Sequence, residues 1–180
     1  MRSATLVLIC YGVTLVLGVV WPVLPLGPLR PTPPDIAAIT AGYLGLTARR
    51  GLAGPVGAAT IAGYLTDLLS GSPPGTCALV AGVTCVLGQL VQRRLLVRGW
   101  AVTVGFAAAL AATAGLLTMI VRLVSGQPLA GPGAEIADVA LVALATAVLG
   151  PLVLRLYRRV DAAFARTQRE RDHALEGLAP

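Results

Sequence analysis

ATLVLICYGVTLVLGVVW, residues 4–21, decides how this chain is read. Its 18 uncharged, mostly apolar residues make roughly 27 Å of α-helix, close to the thickness of a hydrocarbon core. Arg2 flanks the stretch on one side. On the other it runs into Trp21-Pro22-Val23-Leu24-Pro25 rather than a small-x-small cleavage site, which predicts an uncleaved first span and not a removed leader. Working outward, five more apolar stretches occupy 36–48, 51–69, 76–91, 100–121 and 136–154. The fold predicted is an all-α integral membrane protein: a compact bundle of six transmembrane helices over residues 1–157, with a basic cytoplasmic tail over 158–180.

Composition agrees. With 56% hydrophobic and 12% charged residues and a mean hydropathy of +0.81, the chain has too little polar surface to coat a water-soluble globule of 180 residues. The net charge of +6 does not suggest nucleic acid, because the arginines sit at the ends of apolar stretches and not on one face. With both termini inside and six spans, twelve arginines fall on the cytoplasmic side and only Arg30 and Arg122 outside, a strong positive-inside bias. Trp21, Trp100 and Tyr157 fall where interfacial aromatics belong. A five-span chain with its amino terminus outside scores the same, since only Arg2 and Arg30 exchange sides. Six spans are preferred because Arg2 flanks the first helix and because five would strand the 36–48 stretch between loops. That stretch is the weak one: thirteen residues give about 20 Å, too short for a crossing unless the bilayer thins or the helix lies partly in protein.

Prolines at 22, 25, 28, 31, 33 and 34 forbid helix over 21–34 and predict an extended strap on the outer surface. The tail from Arg158 mixes arginines and acids with Val160, Ala163, Phe164 and Thr167 at helical spacing, which suits a cytoplasmic extension of the last helix. It reads as a solvated helix end or as a docking surface for a partner or anionic lipid.

Chemistry has little to work with. No histidine occurs in any span, His173 in the tail has no companion, and Asp67 has no second carboxylate near it in its helix, so no catalytic residue, metal ligand or cofactor site is assigned. Cys10, Cys77 and Cys85 are isolated thiols in apolar segments, read as small buried hydrophobes. Asp67 most needs an explanation, because a carboxylate at the bilayer midplane costs about 2.5–3.5 kcal/mol. Counted from Arg50 it lies about 25 Å along, near the outer interface. Ala59, Gly63 and Asp67 form a small-residue seam on one face, and the carboxylate at its end is placed to bond amides of the turn Ser70–Gly75. A structural cap and a partner or ligand contact are both open to it. Asp35, after Pro33-Pro34, suits the start of a helix, as do Glu135 and Asp138 at the sixth span, where Asp138 is also placed to answer Arg122. Gln89 is a candidate interhelical hydrogen-bonder.

Between Arg30 and Leu79 these residues form a pattern. Arg30, Pro31, Pro34 and Asp35 lead to Tyr43-Leu44-Gly45-Leu46 and a basic turn. Gly63 then precedes Asp67-Leu68-Leu69-Ser70-Gly71-Ser72-Pro73-Pro74-Gly75, followed by Ala78-Leu79. The pattern resembles the family of the rod shape-determining protein MreD, from which the chain departs at Ala59-Thr60, where that family often has Gly-Phe, and in its proline-rich strap. The resemblance implies a non-enzymatic component of the bacterial cell-elongation machinery in the inner membrane, acting in cell shape and lateral peptidoglycan synthesis. It implies an MreC-like periplasmic scaffold as partner and, through it, an MreB-like actin homologue, a RodA-like glycosyltransferase and a penicillin-binding transpeptidase. It also implies a bundle similar to the substrate-capture subunits of energy-coupling-factor transporters. On it, Pro34, Asp35, Gly63, Asp67, Gly71 and Gly75 are structural or partner-contact residues. The rival reading is a substrate-capture subunit for a small molecule such as a vitamin, which needs a cavity with convergent polar groups.

Overall fold

The computed structural model describes residues 2–24, 32–48, 51–92, 100–127 and 131–176. It is all-helical among these residues. α1 runs over Arg2–Val20, α2 over Ile36–Leu46, α3 over Ala53–Ser70, α4 over Thr76–Gln92, α5 over Trp100–Val124 and α6 over Pro132–Glu176. A single 3₁₀ turn, Trp21–Val23, follows α1, so the strap opens helically where none was expected: Pro22 occupies a first-turn position, where its missing N–H costs nothing. Most of the strap, including Arg30 and Pro31, lies outside the described residues, as do Arg49, Arg50, Arg93, Arg94 and Arg98. α1, α5 and α6 are long and apolar enough to cross a membrane, α2 and α4 are shorter apolar helices, and α3 is diluted by glycine, threonine and Asp67.

Side-chain pairs fix the chain's direction in each helix. Gly63 meets Cys77 and Ala78 while Thr60 meets Gly82, so α3 and α4 are antiparallel. Gly115 meets Val139 and Gly150 meets Ala107, so α5 and α6 are as well. α2 bonds α6 at Thr146, Tyr157 and Asp161 from Asp35, Thr40 and Tyr43 in turn, so those two run parallel. Arg2 on α1 reaches Asp161, and Arg122 at the far end of α5 reaches Glu135, 3.2 Å away. Glu135, not Asp138, therefore answers Arg122: the acid nearer the start of α6 is the one level with the end of its antiparallel neighbour.

The short helix is the hub. α2 touches all five others, and ten of its eleven residues, Ile36 to Gly45, are buried. It crosses α4 backbone to backbone. A Cβ on Gly45 would fall on the carbonyl oxygen of Cys85, and one on Gly88 would sit 2.7 Å from the carbonyl oxygen of Gly42. Closeness of this kind needs glycine. Large apolar side chains are exposed on α1, α3, α4, α5 and α6, among them Leu8, Val16, Ile61, Leu90, Ile120, Val148 and Leu152, and none is exposed on α2. The apolar belt of a bundle like this fits hydrocarbon, while α2 has only protein to face.

Candidate functional site

At the Arg122 end of the bundle, α2 stops short. The Asp35 amide donates to the Thr146 hydroxyl at 2.9 Å, and Thr146 lies 14 residues after Pro132, about 21 Å into α6. The first residue of the central helix is thus recessed well below the start of α6, beside a cavity of about 580 Å³. Asp35 and Pro34 lie at its floor, Thr14 and Gly18 of α1, Thr66 and Ser70 of α3, Cys77 and Val80 of α4, Thr118 of α5 and Asp138 of α6 around its wall. The sequence missed this recess. Its one signal was the shortness of the second apolar stretch, which composition alone could not turn into a hollow.

Asp35 caps α2: its Oδ1 accepts the Ala38 N–H at 2.8 Å, which satisfies one of the orphan amides of the first turn. Asp138 is exposed on the wall, and no lysine or arginine is among the described residues that line the cavity. The threonine and serine hydroxyls of the wall donate to carbonyls four residues earlier in their own helices, Thr14 to Cys10, Thr66 to Ala62, Ser70 to Thr66 and Thr118 to Ala114. Their lone pairs remain available as acceptors.

Beside the cavity lies the joint between α3 and α4. Asp67 is buried, 1% exposed, and accepts three backbone N–H groups, from Gly75 at 3.0 Å, Cys77 at 2.9 Å and Ala78 at 3.2 Å. It caps α4 from the preceding helix. The amide donors and the positive end of the α4 dipole hold a buried carboxylate that has no cation partner among the described residues. Gly63, one turn earlier, lets the two backbones touch, since a Cβ there would collide with the Cys77 carbonyl. Gly71 and Gly75 take φ of 64° and 100°, the left-handed region that lets the chain reverse between them. The Ala59–Gly63–Asp67 seam is therefore filled by this chain's own α4, which leaves Asp67 no room to meet a partner directly.

The opposite end of the bundle holds a second polar cluster that the sequence did not assemble. The Arg2 guanidinium donates to both carboxylate oxygens of Asp161 at 2.6 Å, and the Tyr43 hydroxyl donates to Oδ2 at 2.6 Å. One helical turn away the Tyr157 hydroxyl shares a 2.7 Å hydrogen bond with Thr40, and the two tyrosine rings lie 5.4 Å apart. Tyr157 is 0% exposed and Trp21 6%, so neither is an interfacial aromatic: each packs inward, and of the three only Trp100, 59% exposed, faces outward. α6 continues unbroken through 157 and 158, and its Asp161 is docked on α1 and α2, so the tail begins as part of the bundle. The side chains of Arg169, Arg171 and His173 lie outside the described residues. Gln89 forms no side-chain hydrogen bond among the described residues.

No group of histidine, cysteine, aspartate and glutamate suited to a metal ion occurs among the described residues. Neither a protein-family model, nor a curated protein, nor a solved structure matches this chain.

Proposed function

We propose that this chain is a non-enzymatic component of the bacterial cell-elongation complex, inserted in the inner membrane by six helices with both termini in the cytoplasm. It acts in rod shape and lateral peptidoglycan synthesis by offering helix faces to an MreC-like periplasmic scaffold and, through it, to the wall-building enzymes and the actin-like filament. The observation that carries this reading is the clustering of six residues behind the family resemblance, Pro34, Asp35, Gly63, Asp67, Gly71 and Gly75, while Tyr43 of the same motif stands at the opposite end. Pro34 and Asp35 floor the cavity, Cys77 links its wall to the Asp67 cap, and Gly63, Gly71 and Gly75 shape the same joint. They form one end of one bundle, apolar on its outer faces and poor in catalytic groups, which suits a docking role. Depleting the protein in its rod-shaped host is expected to give round cells, and co-purification in mild detergent is expected to retain the scaffold. Rods of normal width after depletion reject the reading.

The cavity favours a second reading, a substrate-capture subunit of a transporter. Two carboxylates facing a mostly apolar hollow, with no basic side chain among the described residues that line it, select an amine or other organic cation. Cys77 on the wall is a native reporter. A cationic methanethiosulfonate is expected to modify it faster than an anionic one of equal size, and Asp35→Asn to narrow the gap. Equal rates for the two reagents exclude a charge-selective site.

A further inference from the structure

Two guanidinium groups and an indole ring surround a groove at the end of the bundle opposite the cavity. The groove, about 250 Å³, lies between the first turn of α5 and residues 151–158 of α6. Its floor is buried and largely apolar, made by Thr103, Pro151 and Leu154. Its rim is exposed and carries Trp100, Arg155 and Arg158. Arg155 and Arg158 stand one turn apart on the same face of α6, and the Arg155 guanidinium lies over the Trp100 ring, 4.7 Å from its centre. Neither arginine forms an ion pair with a carboxylate among the described residues, unlike Arg2 and Arg122.

From this geometry we infer that the groove is a binding site for the headgroup of an anionic phospholipid. The chemistry is that of a phosphodiester: two planar donors with unspent hydrogen-bonding capacity converge on a pocket with no acid among the described residues that line it, and the positive end of the α5 dipole points the same way. Position selects a lipid over a soluble phosphate. α5 and α6 are two of the three helices long and apolar enough to cross a membrane, Trp100 begins α5 where an indole sits at headgroup level, and Val102 and Leu156 beside the groove are exposed as a wall for acyl chains. Basic pockets between membrane helices are suited to anionic headgroups, which add Coulomb attraction to the local fit. A bound lipid would bridge α5 to α6, its headgroup held by Arg155 and Arg158 of α6 beside Trp100 of α5. The inference needs α5 and α6 in a bilayer, and it is independent of any role in wall synthesis.

The test uses the full chain in mixed micelles, with native mass spectrometry counting retained palmitoyl-oleoyl phosphatidylglycerol against phosphatidylcholine of the same chains. Wild type is expected to retain one phosphatidylglycerol selectively and to keep it in the presence of inorganic phosphate. Arg155→Gln/Arg158→Gln is expected to weaken retention about 30-fold, from roughly 1 kcal/mol for each basic residue near an anionic surface. Arg159→Gln/Arg166→Gln removes the same charge from exposed positions outside the groove and is expected to leave retention within about twofold. Equal retention of the two lipids by wild type overturns the proposal without any variant. So does displacement by inorganic phosphate, which makes the groove a plain anion site, or equal loss in both double variants, which makes the attraction a property of net charge.

Discussion

At the scale of single residues, two buried polar side chains of opposite standing make the sharpest predictions. Asp67 satisfies three amides at the start of α4, so Asp67→Ala leaves them buried and unpaired, a loss of about 2–3 kcal/mol. Asp67→Asn keeps one acceptor oxygen and is expected to lose about half as much; thermal unfolding in detergent should rank wild type above Asn above Ala. Thr84 is the converse, 0% exposed with a hydroxyl that has no hydrogen-bond partner among the described residues. Thr84→Val removes that hydroxyl and is expected to raise the unfolding midpoint, by the equivalent of about 1 kcal/mol, in the same assay. The Asp67 cap was legible in part: of the turn Ser70–Gly75 only the Gly75 amide donates and the other two donors, Cys77 and Ala78, belong to α4, but all lie within eleven positions of the carboxylate, joined by a glycine-proline turn that admits few paths. Thr84 was not, because an apolar helix containing a threonine reads the same whether or not the hydroxyl finds a carbonyl.

Among the elements, α2 shows where sequence reading ends. Its start at Ile36 was marked by Pro34 and Asp35, and its eleven-residue helix falls inside the apolar stretch read as 36–48. Its place in the centre was not marked, since an apolar segment surrounded by protein and one surrounded by lipid have the same composition. The bonds that anchor it were also out of reach, spanning 118 positions from Tyr43 to Asp161 and 159 from Arg2 to the same carboxylate. That cluster ties three helices together, so its members should not act independently. Arg2→Gln and Tyr43→Phe are each expected to destabilise the bundle, and the double variant by clearly less than their sum, with a coupling on the order of 1 kcal/mol in a thermodynamic cycle. Strict additivity would mean that Asp161 holds each partner separately.

For the whole molecule, helix directions place Arg2 and Asp161 at one end and Arg122 and Glu135 at the other. The arginine-rich end is expected to face the cytoplasm. In a variant lacking the native cysteines, Ser72→Cys should react with an impermeant maleimide from outside and Arg166→Cys only after the membrane is opened. The reverse pattern would invert every assignment of inner and outer surface.

The recessed hub also bears on biosynthesis. A segment of eleven helical residues is a poor substrate for recognition by a translocon one helix at a time, and α2 has no lipid-facing side to hold it in place while it waits. Its hydroxyl and amide partners, Thr146 and Tyr157, belong to α6, made after the four helices that follow α1. α2 can therefore settle only once α6 has left the ribosome, so truncations that stop before α6 should be cleared by membrane proteases even though much of the apolar belt is already made.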